Sequence, residues 1–128
     1  MRLHITRHII QRLMQRTNSS FNDAERYLDE SFANIIRTNR GIYRINYIAN
    51  NVRHNSTHMI RLGEGYIVIR VLENQIDLIT YITENQAQGS INNEFYSLEP
   101  VDATDLIRWL ISSNQYIFFS LHLSTLAL

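Results

Sequence analysis

The first clear signal along the chain is a repeat of three to four residues. Ile9, Ile10, Leu13 and Met14 fill one arc when residues are set 100° apart, which predicts a helix from Thr6 as N-cap to about Thr17. His8, Arg12 and Arg16, spaced i, i+4, i+8, fall on a separate ridge of that helix. A polar break from Asn18 to Phe21 follows. Asn22 with Glu25 three residues on makes a capping-box pattern, and Ala24, Tyr27, Leu28, Phe32, Ile35 and Ile36 keep helical spacing to about Arg37. Gly41 comes shortly after, as expected beyond a helix end.

From Ile42 the texture changes to that of strands. Ile42 to Ile48 is rich in β-branched and aromatic residues and is broken by Asn50 and Asn51. Thr57 to Leu62 predicts a second strand, followed by a Gly63-Glu64-Gly65 turn. Tyr66 to Leu72 and Ile76 to Thr83 form the clearest hairpin, joined by Glu73-Asn74-Gln75. Strict alternation sets Ile67, Ile69 and Val71 against Tyr66, Val68 and Arg70, and gives Asp77, Ile79, Tyr81 and Thr83 one shared face. Glu84 to Asn93 is expected as a polar loop. A late helix is expected from about Ala103 to Ser113, capped by Asp102, with Leu106, Trp109 and Leu110 facing inward. The tail from Tyr116 alternates Ile117, Phe119, Leu121 and Leu123 as a candidate final strand. The expected class is α+β: two N-terminal helices, an antiparallel β-meander of about four strands, the late helix and that last strand.

Composition narrows the function classes. A length of 128 residues suits one domain, 1–128. Met1 to Thr6 is too polar for a signal peptide, and Tyr116 to Leu128 is interrupted by Ser120, His122 and Ser124, short of the ~18 residues of a membrane span. No membrane association is expected, and the tail is a candidate homodimer contact. Without cysteine there are no disulfides, thiolate metal sites or thiol chemistry, which fits a reducing, cytoplasmic setting. Twelve basic side chains balance twelve acidic ones, so any nucleic-acid contact must come from a local concentration of charge. All twelve are arginine, whose planar fork binds phosphate in a way lysine cannot. Nothing in the sequence explains why lysine is absent.

The ridge of His8, Arg12 and Arg16 carries the most chemistry. Cleaving RNA without a metal needs a base that works near pH 7 for the 2′-hydroxyl proton, and positive donors where charge builds on the phosphoryl oxygens. Imidazole suits the first task and guanidinium the second. The plain alternative is an amphipathic helix with a solvated polar face. His54 and His58, with Arg53 and Arg61 nearby, offer a proton donor for the leaving oxygen or a phosphate-steering loop, or are simply exposed. No third ligand with convincing spacing joins them, so no metal and no cofactor is expected. His4 precedes the helix and is left out of the site; His122 is expected as a core or edge histidine. Arg70 sits in an apolar strand, where a buried charge needs a partner: a bound phosphate, or Asp77 across the hairpin. Gly-rich phosphate loops, HExxH and serine elbows are missing.

The run His8-Ile9-Ile10-x-Arg12-x-x-Gln15-Arg16, with the acid-rich second helix and the meander after it, resembles the RegB-like endoribonucleases. More loosely it is similar to the RelE-like toxins and the barnase–EndoU–colicin–RelE class. The resemblance implies a single RelE/RegB-like domain, toxin-like or phage-encoded, that cuts single-stranded RNA such as mRNA through the 2′-hydroxyl, leaves a cyclic phosphate, and is met by an inhibitor or antitoxin protein. By position, His8 would be a catalytic histidine and Arg12 an active-site arginine, with Arg16 also matching the motif; His58 is the candidate replacement for a second catalytic histidine. Arg70, Tyr81, Thr83, Arg44 and Arg61 would contact substrate, with Tyr81 stacking a base or merely packing the sheet. The sequence departs from the RegB-like pattern at a catalytic position, where the first strand after the second helix contains Arg44 but no histidine. That departure and the zero net charge support a rival expectation, a non-catalytic binding module such as an antitoxin, immunity or host-takeover protein.

Overall fold

Arg2-Leu3-His4-Ile5 alternates polar and apolar residues, and in the computed structural model this segment is a strand, β1 (Arg2–Ile5). The structure describes residues 2–48, 55–104 and 108. After Thr6 the chain enters α1 (Arg7–Thr17), capped as expected by the Thr6 side chain accepting from the Ile9 amide. The second helix, α2 (Phe21–Thr38), begins earlier than the Asn22–Glu25 pattern predicts. Ser20 is its cap, accepting from the Asp23 amide at 3.2 Å, which leaves Asn22 inside the first turn. Both helices end on an asparagine in the left-handed region, Asn18 (φ 50°) and Asn39 (φ 54°), which lets each cap amide reach back to a carbonyl of the last turn.

Four antiparallel strands follow: β2 (Ile42–Tyr47), β3 (His58–Leu62), β4 (Gly65–Val71) and β5 (Gln75–Thr83). Two further elements then depart from expectation. The polar Glu84–Asn93 segment is α3 (Glu84–Asn92), held at its start by a full capping box between Thr83 and Gln86. It reads as a loop in sequence because Ala87 is its one buried residue. After it, β6 (Tyr96–Pro100) adds to the sheet beside β2. The expected late helix begins with the Asp102 carboxylate accepting from the Thr104 amide at 2.8 Å. Its remainder, apart from Arg108, and the apolar tail with its proposed dimer contact lie outside the described residues.

The result is a mixed α/β fold with one six-stranded sheet in the order β1-β5-β4-β3-β2-β6. Only β1 runs parallel to its neighbour, so the expectation of a purely antiparallel meander misses the edge strand that precedes the helices. Cross-strand partners share a face, so the register assigns each side chain to a side. One face carries Ile42, Ile60, Ile67, Ile69, Ile76 and Leu78 under α1 (Ile9, Ile10, Leu13) and α2 (Ala24, Leu28, Phe32, Ile35). The other carries a smaller cluster of Ile45, Met59, Val68 and Tyr96, with Ile91 of α3 against it. Burying each large aliphatic side chain of the helix side stabilises the fold by about 1.5–3 kcal/mol before conformational entropy is counted.

Strict alternation fails in β5. Ile69 is paired with Leu78 but Val68 with Thr80, so Ile79 is an extra residue in a bulge. The parity of the strand inverts there. Ile76 and Leu78 face the helices, and so does Tyr81, while Asp77 faces the other way. Asp77 and Tyr81, expected on one face, are therefore on opposite faces. Among the described residues no helix is long and apolar enough to cross a membrane.

Candidate functional site

The bulge and the parallel edge strand together build a groove that the sequence does not announce. Register sets His4 of β1 beside Asp77 of β5, and Asp77 beside Arg70 of β4, in one row across three strands. Arg70 donates to Asp77 Oδ2 through Nη2 at 2.7 Å and Nε at 3.2 Å. The other oxygen, Oδ1, accepts from the Gln75 side-chain amide and from His4 Nδ1 at 3.3 Å. The Asp77 side chain is only 7% exposed, while that of His4 is 53% exposed. Burial pushes the Asp77 carboxyl up, but the hydrogen bonds from Arg70, Gln75 and His4 outweigh it and hold its pKa below the ordinary carboxylate value. The carboxylate is thus ionised at neutral pH.

His8 borders the same groove from the first turn of α1. With Thr6, Leu78 and Ile79 these side chains line a depression of about 390 Å³. His8 is exposed, and Arg12 one turn on approaches it, its Nε 3.5 Å from His8 Nε2. Arg12 also reaches Gln15 Oε1 at 3.5 Å.

The other expected site residues do not converge here. Arg16, Tyr81 and Thr83 line a larger cleft of about 910 Å³ at the opposite end of α1, together with Tyr27, Glu30, Glu64 and Glu84. Tyr81 is 4% exposed and packs in the helix-side core, its hydroxyl donating to the Leu62 carbonyl at 3.4 Å, so its ring has no free face for a base. The Thr83 hydroxyl is occupied as the α3 cap. Arg61 is paired with Glu84 at 3.2 Å and lies over the Tyr66 ring, 4.9 Å from its centroid. His58 stands at the start of β3 in register with Arg44, which pairs with Glu99 at 3.8 Å. Burial, and then the charge of Arg44, lower the His58 pKa from 6.5. His58 Nδ1 lies 2.7 Å from Thr57 Oγ1, which in turn accepts from the Val71 amide. His54 lies outside the described residues.

The groove that His8 borders is thus shared with His4, and His58 is not among its lining residues. His4 and Asp77 meet 73 positions apart in the chain, through a parallel pairing that helix-ridge analysis cannot see. One signal was available, the four-residue alternation of Arg2 to Ile5. The Arg70–Asp77 pairing is one of the two alternatives the strand pattern left open. Among the described residues no cluster of three or more metal-ligating side chains forms. No family model matches the chain, and neither a curated protein nor a solved structure matches it.

Proposed function

We propose that the protein is a metal-independent endoribonuclease acting on single-stranded RNA, with the groove between β1, β5 and the start of α1 as its active site. The observation that carries the reading is the presence of two imidazoles, His4 and His8, on one groove with a guanidinium, Arg70, held in place beside them. In this reaction His8 takes the proton of the 2′-hydroxyl, and the 2′-oxygen attacks phosphorus. The bond from phosphorus to the 5′-oxygen breaks as protonated His4 gives that oxygen a proton. The products are a 2′,3′-cyclic phosphate and a 5′-hydroxyl end. His8 suits the base role because it is exposed and borders the groove one turn from Arg12. His4 suits the acid role because its Nδ1 donates to the Asp77 carboxylate, which leaves Nε2 toward the groove. Arg70 and Arg12 supply donors for the charge that grows on the phosphoryl oxygens. Arg16, a member of the expected catalytic set, borders the other cleft and takes no part in this reading.

Incubation with single-stranded RNA in EDTA tests it. The expected result is fragments with 5′-hydroxyl and cyclic-phosphate ends, and a rate about 10²–10⁴-fold lower for His8→Ala. A His8→Ala protein that cuts as fast as the parent would end the assignment.

A second reading rests on its own observation. Three carboxylates, Glu30, Glu64 and Glu84, line the larger of these two clefts and repel a phosphate backbone. A non-catalytic protein-binding module would account for them, and RNA left intact by the purified protein would favour it.

A further inference from the structure

The Asp77 carboxylate touches three partners in the groove but has almost no surface of its own. Its side chain is 7% exposed, and both oxygens are taken, Oδ2 by Arg70 and Oδ1 by Gln75 and His4. It is ionised, as its lowered pKa requires. A group so enclosed cannot exchange protons with a bound substrate. Whatever it does, it does through its neighbours.

Those neighbours are not held alike. Arg70 is bound by both Nε and Nη2, which fixes the plane of its guanidinium and leaves Nη1 outside the pair. His4 is bound through Nδ1 alone. A carboxylate can only accept, so Nδ1 carries the proton and Nε2 is the ring nitrogen left for the groove. The register fixes all three, because His4, Asp77 and Arg70 stand directly opposite one another on β1, β5 and β4. Beyond this row the bulge at Ile79 exchanges the faces of β5, so that Tyr81 lies on the helix side and Asp77 on the other.

We infer that Asp77 is a positioning residue, fixing His4 as the Nδ1–H tautomer with Nε2 facing the scissile phosphate and aiming Arg70 at the same phosphate. This rests on the reading of the groove as an RNA-cleaving site. A plain structural role, tying the edge strand to the sheet, would need the same contacts and the same tautomer of His4 but would not produce a selective effect on turnover.

The test pairs nitrogen-15 NMR of the histidine rings with RNA kinetics, on the full chain. In the parent, His4 in its neutral form is expected as the Nδ1–H tautomer. Asp77→Asn is expected to abolish that preference, leave the His8 ring signals unchanged, and lower kcat on the order of 10²-fold with KM altered less than about threefold. Because Asp77→Asn leaves Arg70 with a lost partner, the pair Asp77→Asn with Arg70→Met removes both charges and is expected to show the same loss of tautomer. A parent His4 in the Nε2–H form overturns the inference without any variant, and so does an Asp77→Asn protein with unchanged kcat. If the parent cuts no RNA yet loses its His4 tautomer in Asp77→Asn, the link from Asp77 to His4 stands and the nuclease reading is what falls.

Discussion

At its N-terminal end α1 borders a groove of about 390 Å³ holding two imidazoles and an arginine; at its C-terminal end Arg16 borders a cleft of about 910 Å³ with three carboxylates. The same ridge of the same helix serves both. By size the second would be preferred, and by chemistry the first. In the groove the one carboxylate, Asp77, is buried and answered by three donors, so the exposed groups are ones that can carry protons or hold an anion. In the large cleft Glu84 is answered by Arg61, and Glu30 approaches Arg26 at 3.9 Å, but the exposed balance stays acidic. Volume records where the elements fail to fill space. Which ligand can use that space is decided by the polar groups left facing it.

The largest effect expected from this contrast is on the small groove. His4→Ala, like His8→Ala, should reduce RNA cleavage by about 10²–10⁴-fold while leaving the melting temperature close to the parent's, since His4 is half exposed and His8 exposed. Cleavage retained in either would move the chemistry to the other end of the helix. Gly65→Ala comes next. A Cβ there would overlap the Tyr81 hydroxyl and the Ile82 carbonyl oxygen beneath the large cleft, so urea denaturation should show a loss of about 1–3 kcal/mol. At temperatures where that variant is folded its RNA cleavage should match the parent's, because the damage falls on the wrong end of α1.

Arg16→Ala should lower cleavage by less than about threefold, the size expected of one solvent-exposed charge. A loss as large as that of His8→Ala would instead make the two clefts one extended site. The smallest effect is on pH dependence. The unfolded chain takes a proton on His58 near pH 6.5, but the folded chain, where the pKa is lower, does so only in more acid solution. Stability should therefore fall as pH drops from about 6.5 through the folded value, and His58→Asn should flatten that slope in denaturation measured from pH 7 to pH 5 without altering cleavage.

Much of the scaffold is legible in sequence because it depends on periodicity over long segments. Both first helices and the four strands from Ile42 to Thr83 show their repeat plainly, and their bounds fall within two residues of expectation. Three features do not, each for a local reason. The strand Arg2–Ile5 has only four residues, too few for alternation to stand out from chance. The helix Glu84–Asn92 buries only Ala87 and sets Ile91 against the sheet, too little to make an apolar stripe, although Thr83 and Gln86 spell out its cap. The bulge at Ile79 adds one residue to a strand whose composition is apolar on both sides of it, so nothing in the pattern marks where the faces exchange.

The site was less legible than the fold, for a related reason. His8 and Arg12 are one turn apart and visible as a ridge. His4 and Asp77 are brought together by strand pairing, and the bulge beyond Asp77 puts Tyr81 on the opposite, core-facing side. The expectation for Tyr81 and Thr83 placed them by analogy at a strand end, where one is core and the other a helix cap.

The parallel docking of β1 on β5 has a consequence for assembly. Its contacts close a loop of 73 residues, and α1 packs on β5 across a similar stretch of chain, whereas the hairpins of the meander join neighbours. Loop-closure entropy disfavours forming such a contact early, so the edge strand is expected to settle after the meander has formed. A chain arrested before that step would hold the hairpins of its meander yet have His4 detached from its carboxylate. Completion of the fold and acquisition of the reactive pair would then be a single event, timed by the slowest strand to arrive.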